Sequence, residues 1–155
     1  MTANGMTNFQ AIAYWNYLGG VEPKESPTLE DKLMVKLIKE EYQEFIDEVE
    51  KGNLQGAIEE LSDLLFVVYG GFYRSGTDGD ACANVVIQSN FSKFCKTEEA
   101  AEEEVTKYNN KFGQDYARYD KVQDLYVLRR NEDDKILKPS TYTPKDFSAL
   151  GDNND

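Results

Sequence analysis

Apolar residues recur at helical spacing in the first part of the chain and predict two helices there. The first covers Phe9 to Leu18, with apolar positions every three or four residues. The second begins near Thr28, where Asp31 stands three residues later in an arrangement that resembles a capping box. Its apolar stripe continues to Lys51, which makes it the most regular helix in the chain.

A third helix follows after a short turn, and with the second it predicts a helical hairpin. Gly52-Asn53 ends the second helix, because glycine readily takes the backbone conformation that closes a helix. The third helix then runs from about Leu54 until Gly70-Gly71 loosens it.

The second half of the chain predicts two more helices, followed by a segment with the residue pattern of strands. A fourth helix is predicted from Gly79 or Asp80 to about Phe94, and a fifth from Thr97 to about Phe112. Val122 to Arg130 is rich in Val, Leu and Tyr and predicts a strand. Asn131 to Asp134 then forms a turn and Lys135 to Lys138 returns, which predicts a small hairpin.

These elements predict an all-α fold: a helical bundle of about five helices with a small C-terminal β-hairpin extension. At 155 residues the chain suits one domain, taken as residues 1–150. The polar tail at 151–155 cannot bury enough apolar surface and is expected to be disordered. A helical hairpin has a second apolar edge, so pairing with another copy in a four-helix-bundle core is expected, as a homodimer or homotetramer.

Composition narrows the range of functions. The formal net charge of −12 would repel a phosphate backbone, so nucleic acid is not expected as a partner. The absence of histidine removes imidazole bases and nitrogen ligands for metals. Cys82 and Cys95 lack ligand or disulfide spacing, which favours a reducing cytoplasm, and no run of 18 apolar residues predicts a membrane span.

Each helix of the predicted hairpin carries two acids at i and i+3, which are neighbours on one helical face. They are Glu41 and Glu44 on the second helix, and Glu60 and Asp63 on the third. The two pairs stand at equal distances from the turn, so Glu41 faces Asp63 and Glu44 faces Glu60. With helix axes about 8–10 Å apart, the four side chains can converge on one point.

Carboxylates crowded in this way repel one another unless a cation neutralises them, and Mg²⁺, with Mn²⁺ as a substitute, suits oxygen ligands. A di-iron carboxylate bundle usually needs histidine ligands, which this chain lacks. Most acidic clusters are simply solvated, and that interpretation is given to the dense run in the fifth helix. The run consists of Glu98, Glu99, Glu102, Glu103 and Glu104.

The pattern E-E-x-x-E followed by E-x-x-D on the next helix resembles the signature of the all-α nucleotide pyrophosphohydrolases. This superfamily holds the MazG-type enzymes, dimeric dUTPases and phosphoribosyl-ATP pyrophosphohydrolase. Ser89 to Phe94 is similar to the S-N-x-S-K segment of MazG-like proteins, and Asp134 to Asp146 to their C-terminal D-K-V-L-K-P/S…Y-x-P-x-D ending. The resemblance covers about Leu29 to Leu150.

The resemblance implies an enzyme that cleaves a nucleoside triphosphate to the monophosphate and pyrophosphate with bound Mg²⁺. The implied metal ligands are Glu41, Glu44, Glu60 and Asp63. Glu40 matches an extra glutamate that serves a second ion or orients water, and Asn90 and Lys93 match phosphate contacts, so that Glu40, Glu41 and Lys93 are the implied catalytic residues. Lys138 and Tyr142 are further candidates for phosphate or loop-closing contacts.

Two helical segments bear on the substrate. Asn90 continues the apolar stripe of the fourth helix and Lys93 lies one turn along, so an amide and an ammonium group are expected to face the interior. Tyr14 and Trp15 could stack on a base, but packing is the expected use of large aromatic residues. The base and sugar stay open, although the C-terminal segment favours the broader MazG-like group over phosphoribosyl-ATP as substrate.

Two alternatives come from other classes of function. A non-catalytic acidic helical protein that binds Ca²⁺ or a basic partner would have no need of Asn90 or Lys93. A mimic of nucleic acid would bind a basic protein through its surface charge and turn over no nucleotide.

Overall fold

The computed structural model describes residues 5–25 and 32–148, and there the chain is mostly helical, with five helices and one three-stranded antiparallel sheet. The helices are α1 (Asn8–Leu18), α2 (Lys32–Glu50), α3 (Leu54–Arg74), α4 (Gly79–Phe91) and α5 (Glu98–Phe112); the strands are β1 (Phe94–Cys95), β2 (Ala117–Val122) and β3 (Leu125–Arg130). Two compact units contain them, Met1–Ala83 with Phe147–Asp155, and Asn84–Asp146. The predicted capping box at Thr28 and the tail at 151–155 lie outside the described residues.

The turn between α2 and α3 is fixed by side chains as well as by glycine. Gly52 has a φ of 69°, a conformation that residues with a Cβ rarely adopt. Asn53 caps α3 by accepting a hydrogen bond from the Gly56 amide at 3.2 Å, and its own amide donates to Glu48 at 2.6 Å. Lys51 also donates to Glu48 at 2.6 Å. These contacts set the register in which the two helices lie against each other.

The first helix packs on α3 through aromatic rings. Thr7 caps α1 by accepting from the Gln10 amide at 3.1 Å, and the Gln10 side chain accepts from the Thr7 amide in return. The ring centroids of Phe9 and Tyr69 lie 6.0 Å apart. Those of Trp15 and Phe66 lie 5.2 Å apart, edge to face.

The prediction that Gly70-Gly71 loosens α3 is wrong, since the helix continues to Arg74. Both glycines are buried. A Cβ on Gly71 would lie 2.7 Å from the sulfur of Met34, and one on Gly70 would lie 3.4 Å from the Asn16 amide nitrogen. The glycine pair therefore lets neighbouring side chains approach α3 closely, and this packing offsets the low helix propensity of glycine.

In the second unit a small sheet has the strand order β1-β3-β2, with all strands antiparallel. Its core contains the buried residues Cys95, Ala101, Ala117, Tyr126, Leu128 and Leu137. The predicted return of Lys135 to Lys138 is confirmed in part. This segment runs antiparallel to β3, with an isolated bridge between Ile136 and Arg129 and a hydrogen bond from the Leu137 amide to the Leu128 carbonyl at 3.0 Å. The longer antiparallel pairing of β3 is with β2, which was not predicted.

Two further predictions for this unit need correction. The fourth helix ends at Phe91, and Phe94 begins β1, which pairs with Val127 of β3. The assignment of the acidic run to solvent is wrong for Glu104, which is buried. Its carboxylate accepts hydrogen bonds from Lys107 at 2.6 Å and from the Ser140 hydroxyl, so the buried charge has partners.

The helical hairpin leaves much apolar surface open in the single chain. No residue of α2 is buried, and α3 buries only Ala57 and its two glycines. The exposed apolar residues of the two helices include Val35, Tyr42, Val49, Leu54, Ile58, Leu61 and Leu65. Within the described ranges, no helix is both long and apolar enough for a membrane span.

Candidate functional site

The carboxylates of the hairpin gather between α2 and α3. Glu41 of α2 and Glu60 and Asp63 of α3 each offer one oxygen, and these three oxygens lie within 4.8 Å of one another. Glu41 and Glu60 are half-buried, whereas Asp63 is exposed. The i, i+3 spacing on α3 and the register of the antiparallel hairpin bring the three acids to one place.

The electrostatics of this cluster disfavour three negative charges without a counter-ion. Desolvation raises the pKa of Glu41, and the nearby charges of Glu44, Asp63 and Glu40 raise it further. Desolvation also raises the pKa of Glu60, followed by the charge of Glu44 and a hydrogen bond with it. An acidic cluster that resists ionisation in this way fits a divalent cation with oxygen ligands.

The two other predicted acids lie at the edge of the cluster. Glu44 is exposed, and its carboxyl group is hydrogen-bonded to that of Glu60, so it is next to the three grouped oxygens. Glu40 is also exposed and pairs with Lys36, one turn back on α2, at 3.3 Å. Glu44 is thus placed beside the cluster, and Glu40 close enough for its charge to act on Glu41.

A cavity of about 440 Å³ opens beside the carboxylates within the same unit. Its lining includes Glu41 and Asp63 together with the apolar side chains of Leu37, Phe66 and Val67, and Trp15. The lining also includes Asn16 and Arg74. Because charged and polar residues line the cavity together with apolar and aromatic ones, it suits a ligand with a polar part and a flat apolar part.

Trp15 and Asn16 of α1 line this cavity. The ring of Trp15 packs edge to face on Phe66 and that of Tyr14 stacks on Tyr17, as expected of large aromatic residues, but both side chains stay more than half exposed. Asn16 is buried, and its amide donates to the Ile12 carbonyl at 3.0 Å. A sequence signal for Asn16 did exist, because it stands four residues after Ile12 and seven after Phe9, on the apolar face of α1.

In the second unit the predicted phosphate contacts come together, although Asn90 does not face the interior as expected. Asn90 is exposed because α4 ends one residue later; its amide donates to the Val86 carbonyl at 2.9 Å and accepts from Lys93 at 2.7 Å. The ammonium group of Lys138 lies 4.5 Å from the centroid of the Tyr142 ring. The Tyr142 hydroxyl lies 3.1 Å from that of Ser89, which is buried.

An antiparallel helix pair that gathers acids between its members and opens a cavity beside them is the arrangement of a helical carboxylate metal site. Comparison with protein families matches residues 21–90, just under half of the chain, to phosphoribosyl-ATP pyrophosphohydrolase. This match confirms the resemblance to the all-α pyrophosphohydrolase superfamily and implies a hydrolase that cleaves a pyrophosphate linkage. The matched segment holds all the hairpin acids and Asn90, and ends before Lys93. Comparison with curated proteins gives no match.

Proposed function

We propose that this protein is a metal-dependent nucleotide pyrophosphohydrolase that converts a ribo- or deoxyribonucleoside triphosphate to the monophosphate and pyrophosphate. Its proposed role is to remove unwanted nucleotides from the cellular nucleotide pool, known as house-cleaning. The observation that carries the proposal is the grouping of Glu41, Glu60 and Asp63 within 4.8 Å beside a cavity. The family match supports the class of reaction.

The donor set fits Mg²⁺, with Mn²⁺ as a substitute, because it consists of carboxylate oxygens alone. Glu41, Glu60 and Asp63 would hold the ion, with Glu44 as a further ligand through its position beside Glu60. A bound divalent ion would polarise phosphate oxygens and lower the pKa of water.

The remaining roles belong to side chains around these ligands. Glu40 is the proposed residue that orients the attacking water, because its charge acts on Glu41 while its side chain is open to solvent. Lys93, held by Asn90, adds positive charge toward the developing charge of the phosphates. Lys138 and Tyr142 are proposed as further phosphate contacts.

The cavity beside the carboxylates is proposed to receive the base. The ring of Trp15 is exposed and packs edge to face against Phe66, and a planar base can stack on such a surface. Asn16, buried at the same cavity, is the polar group that would distinguish one base from another. The base itself stays unassigned.

The exposed apolar side chains of α2 and α3 support the proposal that a second copy covers them. A face with residues such as Leu54, Ile58 and Leu61 exposed by more than half is costly in water. Pairing of two hairpins as a four-helix bundle would bury this face, giving a homodimer or, by pairing of dimers, a homotetramer.

The testing experiment measures pyrophosphate release from a panel of ribo- and deoxyribonucleoside triphosphates and from phosphoribosyl-ATP, with Mg²⁺ or Mn²⁺. Glu41→Gln removes one ligand charge and should lower kcat/KM by at least about 100-fold. Glu59→Gln is the matched control, because Glu59 is an exposed neighbour of Glu60 outside the cluster.

Metal-dependent turnover that survives in Glu59→Gln and is lost in Glu41→Gln would support the proposal. No turnover of any substrate would overturn it and favour a non-catalytic acidic module. That module would still bind a divalent ion, and the Lys93→Ala variant would leave its binding intact.

A further inference from the structure

One side of α3 leads from the carboxylates to a cation at the other end of the same cavity. Six α3 residues line the cavity, and their spacing of three or four positions from turn to turn places them on one side of the helix. They are Asp63, Phe66, Val67, Gly70, Gly71 and Arg74. Among the lining residues that the structure describes, Arg74 is the only one with a positive charge. It is half-buried and lies in the last turn of α3.

The separation of the two charged ends matches the length of a nucleotide substrate. Arg74 follows Asp63 by eleven positions, which is a rise of about 16 Å along the helix axis. Helical side chains lean toward the helix N-terminus, which brings the guanidinium group of Arg74 closer to the acids. Between the two ends lie the rings of Trp15 and Phe66, with centroids 5.2 Å apart. A base that stacks on Trp15, with its phosphates at the acids, therefore directs its far edge toward Arg74.

Hydrogen bonds fix the end of the cavity at which Arg74 lies. Gly19 and Val21, from the loop after α1, line the same cavity. The Tyr73 hydroxyl donates to the Val21 carbonyl at 3.0 Å, and the Val21 amide donates to the Asn16 carbonyl, also at 3.0 Å. These bonds hold the loop against the last turn of α3. The surface that would meet the base edge is thus formed before a ligand binds.

The chemistry of the guanidinium group selects among bases. It is a rigid fork of N–H donors with no acceptor. Guanine presents two adjacent acceptors, O6 and N7, which an arginine can bond together, whereas adenine places an amino donor beside N7. Cytosine also has two adjacent acceptors, O2 and N3, but its single ring extends less far from the sugar than a purine does. Across about three turns of helix, a guanine edge meets Arg74 best.

We propose that Arg74 is a specificity-determining residue that binds the O6 and N7 edge of guanine, so that the preferred substrate is a guanine nucleotide. The proposal rests on the proposed function, in which the acids serve the phosphates and the cavity receives the base. It assigns the base that the proposed function leaves open, and it gives a role to a residue that has none there.

The test uses the fluorescence of Trp15. This residue is the single tryptophan of the chain, and its exposed ring lines the cavity, so its emission reports a base bound there. GMP, AMP and CMP are titrated into the full-length protein with Mg²⁺, and quenching gives each Kd. The unmodified protein should bind GMP at least about tenfold more tightly than AMP or CMP. Because the ligands are monophosphates, the measurement needs no turnover.

Three variants separate base recognition from charge and from folding. Arg74→Gln should reverse the preference in favour of AMP, because a glutamine amide bonds N6 and N7 of adenine. Arg74→Lys keeps the charge but not the fork, so the GMP preference should fall to within about threefold. Lys39→Gln is the matched control, since Lys39 is an exposed cation of the same unit outside the cavity lining, and it should keep the preference. Circular dichroism shows that each variant is folded.

Several outcomes would overturn the proposal: no quenching by any of the three nucleotides, equal binding of GMP and AMP by the unmodified protein, or tighter binding of CMP. A GMP preference that Arg74→Gln leaves unchanged would also overturn it. Failure of the proposed function is a separate result. GMP preference without pyrophosphate release from any triphosphate would keep the guanine site and remove the enzyme. Pyrophosphate release that is equal for all bases would keep the enzyme and remove the role of Arg74.

Discussion

The ammonium group of Lys107 lies 2.6 Å from the buried carboxylate of Glu104, one turn back on α5. Ser140, 36 residues further along the chain, donates a second hydrogen bond to the same carboxylate. Glu104 therefore ties α5 to the segment that follows β3, and it does so as a charged group. A buried carboxylate with such partners stabilises the fold only while both partners are present.

Replacing this carboxylate by an amide should lower the stability of the protein. Glu104→Gln keeps the shape of the side chain but loses the charge-assisted bond with Lys107, and we expect a loss of about 1–2 kcal/mol in the free energy of unfolding. Chemical denaturation followed by circular dichroism measures it. Glu103→Gln changes an exposed neighbour and should stay within about 0.5 kcal/mol; equal effects of the two variants would contradict the structural role of Glu104.

The effect of Glu104→Gln should depend on pH. Burial raises the pKa of Glu104, but the hydrogen bonds with Lys107 and Ser140 outweigh it, so the pKa lies below the usual value of 4.5. A carboxyl group with a lowered pKa contributes stability above its unfolded-state pKa and loses it as the pH falls through the folded-state value. The stability difference between the two proteins should thus be full above about pH 5 and shrink as the pH falls below 4.5. A stability difference between the two proteins that grows on acidification would have the opposite sign and would contradict this expectation.

Divalent metal should stabilise the folded protein through the hairpin acids. An ion that binds only the folded state, present at ten times its Kd, adds about 1.4 kcal/mol, which corresponds to a rise in Tm of about 3–6 °C. Thermal unfolding with added Mg²⁺, reversed by a chelator, measures the shift. Glu60→Gln should reduce it and Glu59→Gln should preserve it; an equal rise in both variants would place the ion elsewhere.

Trp15 should affect substrate affinity more than chemistry. Loss of its ring in Trp15→Ala removes a stacking surface, so KM should rise about five- to tenfold while kcat stays within about twofold. Steady-state kinetics with the best substrate of the panel measures both. Tyr14→Ala is the control, because Tyr14 is an exposed aromatic residue of the same helix outside the cavity lining. An unchanged KM in Trp15→Ala would contradict the proposal that the base binds in this cavity.

The helical hairpin was predictable because its information is local. Apolar spacing predicted α2 and α3, and the register of an antiparallel pair set Glu41 opposite Asp63 and Glu44 opposite Glu60. In the structure the carboxylate oxygens of Glu41, Glu60 and Asp63 lie together at this place. The capping asparagine and the positive φ of Gly52 then fix that register in the structure. Local rules suffice where the elements that build a site are neighbours in sequence.

Prediction failed where a residue's environment comes from a distant segment. Gly70-Gly71 does not end α3, because Asn16 and Met34 pack against it from other helices. Glu104 is buried next to Ser140, which lies 36 residues away in sequence, and the helical periodicity of α5 carries no information about that contact. Phe94 belongs to a strand of two residues, and so short a strand has no periodicity of its own.

The two cysteines are free and buried, one in each compact unit. Burial raises the pKa of both the Cys82 and the Cys95 thiols, so neither should react with a thiol reagent in the folded protein. Each thiol becomes reactive only when the structure around it opens, so its labelling rate reports how readily that part of the protein opens. Equal labelling rates of the two cysteines would indicate that the two units open together as one cooperative domain. Unequal rates would show which unit opens more readily.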